Sequence, residues 1–140
     1  MTVYEPADDV DAAELSPSAV RVVFRLVTTD DSGDESLIEC FRSNAERGRP
    51  PRGREKQQPS VHRGLSVFAT RAQVLDRQRR IVAALRLAPG EAPRIGTCVA
   101  TLTLRGPGVW HTTPEVDGHL TIWASPTACM ASVTAIDAIR

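Results

Sequence analysis

The spacing of apolar residues divides most of the chain into short strands and two longer helices. The β-branched segment 21–29 alternates from one face to the other and predicts the first strand, with Arg25 in its otherwise apolar middle. Further strands are predicted over 61–68, 95–104, 109–111, 118–124 and 131–139.

Helical spacing and start signals predict the helices. Apolar residues recur at helical spacing over 35–46, and Gly48 offers a C-terminal cap. Thr70 followed by Gln73 forms a capping box for a helix over 70–87, and Ser125 before Pro126 begins a short one. This order predicts an α+β fold with two main helices and one short helix. Its sheet is mixed or antiparallel, possibly split, with the helices on one side.

Two segments have compositions that favour neither helix nor strand. Residues 1–18 are acidic, contain two prolines and are expected to form a flexible leader, which serves solubility or covers a basic surface. Residues 48–60 form a basic loop, because 48–59 contain three prolines and no hydrophobic residue. Residues 19–140 are therefore expected to form a single domain.

Composition narrows the class of protein. A chain of 140 residues with 41% apolar and 24% charged residues is typical of one globular domain. Three cysteines without a CxxC pair predict neither a disulfide framework nor a zinc site, and they favour a reducing cytoplasm. The first twenty residues lack the basic residues of a signal peptide, and the apolar runs are too short to cross a bilayer. We expect a cytoplasmic protein without a membrane partner.

The net charge of zero conceals a division along the chain. Residues 1–40 carry a net charge of −8, whereas residues 41–105 carry +10. Arginine supplies sixteen of the seventeen bases, and its planar guanidinium binds phosphate through two hydrogen bonds. One hypothesis is a non-catalytic module that binds nucleic acid or a protein partner through the Arg-rich segment 42–63, and the other is that this segment is a merely solvated face. The candidate anion-binding residues are Arg47, Arg49, Arg52, Arg54 and Lys56.

The three histidines support a second hypothesis. A metal-independent ribonuclease needs one imidazole as a base, another as an acid, and a cation for the developing charge. His62 or His119, together with Arg25 or Arg63, would meet that need. No HxH or HExxH pattern predicts a metal site.

Three segments together resemble small bacterial ADP-ribosyltransferase-like domains of the toxin type: 23–26, 64–70 leading into a helix, and 118–123. The resemblance implies a split sheet and NAD as the ligand, with Arg25 holding the dinucleotide phosphates and Ser66 bracing the nicotinamide pocket. The family also has a late catalytic glutamate, to which Glu115 and Asp117 are the nearest acids here, although a Glu-x-Glu or Gln-x-Glu pattern is missing. Glu115 is the catalytic candidate of the two, and His119, from the histidine set, is a further one. Without that acid, the fold would serve as a nucleotide-binding or partner-binding module. Other cofactor contacts would come from His62, Arg63 and Trp123.

Overall fold

The computed structural model describes residues 6–7, 9–10, 15–17, 20–28, 34–86, 97–105, 110–112 and 114–139. Within these ranges the fold is α+β, as predicted, and every neighbouring pair of strands is antiparallel. The strands are β1 (Leu15–Pro17), β2 (Val20–Val27), β3 (Leu65–Phe68), β4 (Cys98–Arg105), β5 (Trp110–Thr112), β6 (His119–Trp123) and β7 (Val133–Ala138). The helices are α1 (Asp34–Glu39), α2 (Pro59–Arg63), α3 (Arg71–Leu85) and α4 (Pro126–Ser132), with a short 3-10 helix at Gly53–Lys56.

The strands form one sheet in the order β1-β5-β6-β3-β2-β4-β7, and it has a hydrophobic cluster on each face. Val23 and Val27 of β2 pack on the face shared with α1 and α4, whereas Phe24 and Leu26 pack on the face covered by α3. The expectation that all helices lie on one side is therefore wrong. The alternation in β2 has apolar residues on both faces, so each face needs a cover.

Among the described strand pairs, β2 and β3 have the fewest residues paired in register. All eight residues of β2 pair in register with β4, but Phe24 opposite Phe68 is the one registered pair that joins β2 to β3. The central strands therefore diverge on one side of β2 and leave an opening between β2 and β3.

Two predicted helix starts are confirmed. The Thr70 hydroxyl accepts a hydrogen bond from the Gln73 amide at the beginning of α3. The Ser125 hydroxyl accepts one from the Ala128 amide at 3.0 Å at the beginning of α4. In both cases the cap satisfies a backbone donor that has no partner inside the helix.

The helix predicted over 35–46 ends early, at Glu39. Arginine side chains bond to the carbonyl groups at this end. Arg47 Nη2 donates to the Glu39 carbonyl oxygen at 2.6 Å, and Arg25 Nε donates to the Cys40 carbonyl oxygen at 2.8 Å. These long-range contacts replace the hydrogen bonds that a continuing helix would make. Local periodicity contains no information about them.

The strand predicted over 61–68 is also partly wrong, because Pro59–Arg63 is helical and the strand begins at Leu65. Pro59 occupies the first turn of α2, where a missing N–H is harmless. The loop expected over 48–60 therefore contains the 3-10 helix and the start of α2.

Some described residues of the acidic leader expected over 1–18 contact distant parts of the chain. Residues 15–17 pair with β5. Asp9 accepts hydrogen bonds from the amide and the hydroxyl of Ser60, at 2.7 and 2.6 Å, at the start of α2. Val10 beside it is buried. The described residues 9 and 15–17 thus have partners far along the chain.

Candidate active site at the opening between two strands

Arg25 extends from β2 into the opening beside β3. Its Nη1 donates to the Ser66 carbonyl at 2.5 Å, and its Nε donates to the Cys40 carbonyl. Burial and the nearby Arg47 guanidinium lower the pKa of Arg25 to about 10, so the side chain remains charged at neutral pH. The structure therefore holds a fixed cation where the sheet parts.

A pocket of about 290 Å³ lies at this opening. Four arginines and a single carboxylate, Glu55, supply the charges of its described lining, so the pocket is electropositive. These arginines come from four separate segments: Arg25 from β2, Arg42 from the turn after α1, Arg49 from the basic loop and Arg77 from α3. Such convergence favours an anionic ligand.

Two of these arginines have free hydrogen-bonding capacity. The guanidinium groups of Arg49 and Arg77 are exposed and have no hydrogen bond or ion pair within the part of the chain that the structure describes. By contrast, Arg42 is held by the Glu39 carboxylate at 2.9 Å and by the Glu46 carbonyl at 2.7 Å. Arg49 and Arg77 are therefore the cations with most donors available to a ligand.

Ser66 lies on the wall of the pocket and contacts His119. Ser66 and His119 project from the same face of paired strands β3 and β6, and Ser66 Oγ lies 3.0 Å from His119 Nε2. His119 Nδ1 lies 3.5 Å from the Glu115 carboxylate. The three side chains thus form a hydroxyl-imidazole-carboxylate series that begins at Ser66 on the pocket wall.

Local structure holds this series in place. Gly118 adopts a φ of +83° in the turn before β6, a conformation that favours glycine. In that turn the Glu115 amide donates to the His119 carbonyl at 2.8 Å, which fixes the acid beside the histidine. The Phe68 ring packs edge-on against the imidazole, with the ring centroids 5.7 Å apart.

Gly64 permits the close approach of β3 and β6. A Cβ atom at this position would lie 2.2 Å from the Thr121 Cγ2 atom. Any larger residue would force the strands apart next to Ser66. Local sequence does not predict this role of Gly64, because the contact joins positions 57 residues apart.

The four residues predicted to be catalytic, Arg25, Ser66, His119 and Glu115, are connected by contacts in series, and Arg25 and Ser66 line the pocket. The other predicted cofactor contacts lie elsewhere. His62 Nε2 faces the Arg49 carbonyl at 2.8 Å, and Arg63 donates to the Ser60 hydroxyl at 3.0 Å. Trp123 is 1% exposed and its indole N–H donates to the Ser60 carbonyl, so it is a core side chain rather than a stacking surface.

The three histidines contact different partners. His62 faces the Arg49 carbonyl, His111 is buried against the Thr112 carbonyl, and His119 contacts Ser66. This arrangement does not favour the acid-base pair of histidines that the ribonuclease hypothesis requires.

The predicted anion-binding residues lie in different surroundings. Arg49 lines the pocket, whereas Arg52 and Lys56 are exposed in or beside the 3-10 helix. Arg54 pairs with Glu115 at 3.1 Å and also donates to Gln58. Arg47 caps α1, and its Nε is buried without a hydrogen-bond partner among the described residues.

Sequence reasoning missed Arg77, Asn44 and Glu55 as pocket residues. Their residue types are ordinary for exposed loops and helix faces. Only the packing of α3 over β2 and β3 brings Arg77 to the opening, so no local signal marks it.

The chain matches no protein-family model, no curated protein and no solved structure. Over the residues that the structure describes, no helix has the length and apolar content needed to cross a membrane. In the same residues, no three His, Cys, Asp or Glu side chains converge as metal ligands.

Proposed function

We propose that this chain is an ADP-ribosyltransferase-like domain that binds NAD or a related nucleotide in the pocket between β2 and β3. The observation that carries the proposal is the electropositive pocket at the opening of the sheet, with Arg25 on one strand and Ser66 on the other. The resemblance in sequence implied this pair of residues on a split sheet. The single registered pair between β2 and β3 supports that implication.

The lining residues fit the phosphates of such a ligand. Arg49 and Arg77 would hold the pyrophosphate, because their guanidinium groups have no other partner in the described chain. Arg25 would add positive charge behind them, since two of its donors are already used by carbonyls. The pocket volume of about 290 Å³ suits part of a dinucleotide, with the remainder lying toward the exposed arginines.

Bound in this pocket, NAD would supply a ribose carbon whose bond to nicotinamide can be exchanged for a bond to an acceptor. Ser66 would orient the ligand at the pocket wall, and His119 would receive the proton of the acceptor at Nε2. Glu115 would hold the imidazole through Nδ1. Glu115 would therefore act through His119 rather than on the ligand itself. It lies in the turn before β6 and not within a late strand.

The test is calorimetric titration of the purified chain with NAD and ADP-ribose at two salt concentrations. Arg77→Ala is expected to weaken binding by about 10-fold or more, because it removes a charge-assisted phosphate contact. Arg79→Ala is the matched control: it removes an exposed arginine from the same helix that does not line the pocket. Equal losses in the two variants, or no binding by the unaltered chain, would refute the proposal. Binding of RNA alone would favour the nucleic-acid module instead.

A further inference from the structure

We propose that Ser66 is a nucleophile and that the site also performs acyl transfer on carboxylic esters that carry an anionic group. The geometry that points to this activity is the series Ser66, His119 and Glu115. A nucleophilic hydroxyl needs a base within hydrogen-bond distance, and that base needs a third group to orient it. The Oγ to Nε2 distance is 3.0 Å, and the carboxylate lies 3.5 Å from Nδ1.

The surroundings of Ser66 give a substrate access to the hydroxyl. Ser66 is exposed, whereas the neighbouring residues Leu65 and Val67 are 3% and 0% exposed. β3 pairs fully with β6 but is joined to β2 by one registered pair, so one edge of the strand next to Ser66 borders the pocket. The hydroxyl thus combines a rigid position with an open approach.

His119 is held in an orientation that suits a base. Its side chain is 26% exposed, between the edge of Phe68 on one side and the Glu115 carboxylate on the other. The same carboxylate pairs with Arg54 at 3.1 Å through its other oxygen. The acid is therefore anchored on two sides, which limits rotation of the imidazole away from Ser66.

The reaction proceeds in two balanced steps. The Ser66 oxygen bonds to the ester carbonyl carbon while its proton passes to His119 Nε2, and Glu115 stabilises the imidazolium. The bond from carbon to the leaving oxygen then breaks, and that oxygen takes the proton from Nε2. Water repeats the sequence on the acyl-serine: it gives a proton to Nε2, bonds to the carbonyl carbon and releases the acid, while Ser66 recovers the proton.

The charged lining defines the substrate class. Arg49 and Arg77 lie in the same pocket as Ser66 and have no partner in the described chain, so they select an ester with a carboxylate or phosphate on its acyl side. This selection needs anion binding in the pocket but not NAD. The acyl-transfer proposal and the proposed nucleotide function therefore fail independently.

The experiment treats the full chain with a fluorophosphonate probe, which bonds irreversibly to activated serines, and maps the modified residue by mass spectrometry. We expect labelling at Ser66, lost in Ser66→Ala and slowed by about 100-fold or more in His119→Gln, in line with loss of a general base. Glu115→Gln is expected to slow labelling by a smaller factor. Ser132→Ala is the matched control, since this serine on α4 bonds only the Ala128 carbonyl in the described chain, and it should label at the normal rate.

Turnover supplies the second measurement. Hydrolysis of an anionic 4-nitrophenyl ester is expected to exceed that of a neutral ester of the same length, and Arg77→Ala should remove the difference by raising KM. Failure of the probe to label Ser66 in a chain with an unchanged melting temperature would overturn the proposal, whether or not NAD binds. Labelling that persists in His119→Gln at the same rate would also overturn it, because the serine would then be reactive without its base.

Discussion

Strand β2 has a neighbour on each edge, and the two are joined to it differently. On the β4 side, all eight residues pair in register and the buried side chains of Val23 and Leu102 lie opposite each other. On the β3 side, one pair is registered, and the Arg25 side chain supplies the hydrogen bond to the Ser66 carbonyl. A half-buried cation prevents tight closure, because a guanidinium must keep hydrogen-bond partners or water. The closed edge therefore stabilises the fold, and the open edge forms the candidate site.

The largest expected effect is on the closed edge. Leu102→Ala should lower the free energy of unfolding by about 2–5 kcal/mol, because it creates a cavity beside the fully buried Val23. Ser66→Ala on the open edge should change it by less than about 1 kcal/mol, since Ser66 is exposed. Urea denaturation of both variants measures the contrast, and similar losses would mean that the two edges contribute alike.

A substitution at Gly64 tests the close contact between β3 and β6 next to Ser66. Gly64→Ala should destabilise the chain by about 1–3 kcal/mol through the clash with Thr121 Cγ2. Thr121→Ser removes that methyl group, so the double variant should recover part of the loss. A double-mutant cycle with no coupling energy would show that Gly64 matters for another reason.

A substitution at Asp9 tests its hydrogen bonds with Ser60 in α2, the helix that precedes β3. The pKa of Asp9 is lowered: burial alone would raise it, but the hydrogen bonds from Ser60 and the charge of Arg63 outweigh that effect. Asp9→Ala should lower the free energy of unfolding by about 1 kcal/mol at pH 7, an effect similar to the loss of a helix cap. A carboxyl whose folded pKa is lowered stabilises the fold above its unfolded pKa. The difference from the unaltered chain should therefore shrink as the pH falls below about 4.

The control for that pH series is Asp76→Asn, which removes an exposed ion pair with Arg80 on α3. Its effect should stay within about 0.5 kcal/mol. If the loss of unfolding free energy in Asp9→Ala stayed the same at low pH, the charge of Asp9 would not be its cause.

The smallest effect concerns two thiols near Arg25. Burial raises the pKa of the Cys129 thiol to about 12, and the side chain is 0% exposed. Cys40 is half-buried, and its thiol donates to the Thr28 carbonyl at 3.4 Å. Iodoacetamide at pH 8 should therefore modify Cys40 about 10-fold faster than Cys129, because thiolate and access control the rate. Equal rates in the native chain would indicate that Cys129 is accessible. The unfolded chain provides the reference in which both should react alike.

Local signals predicted much of the secondary structure. Capping residues placed the starts of α3 and α4, and alternation placed β2 and most of β4. The errors occur where distant partners decide the structure. The helix predicted over 35–46 ends where the Arg25 and Arg47 side chains donate hydrogen bonds to the carbonyls at its end.

In the candidate site, too, some residues are marked by local sequence and others only by distant contacts. An arginine within an apolar strand was noticeable in the sequence because burial of a charge is costly, and the resemblance pointed to Ser66. Arg77 and Gly64 gave no such signal, since an exposed helical arginine and a glycine before a strand are ordinary features. Their roles arise from contacts with β2, β3 and β6.

The sequence by itself determined the α+β class, the main helix starts and the presence of a charge in the central strand, because periodicity, capping and desolvation act over a few residues. Only the tertiary structure decided that β2 pairs along one edge and opens on the other, and that His119 and Glu115 meet Ser66 from the β6 side of β3. These features depend on strand register and helix packing, which connect residues tens of positions apart and leave no local pattern.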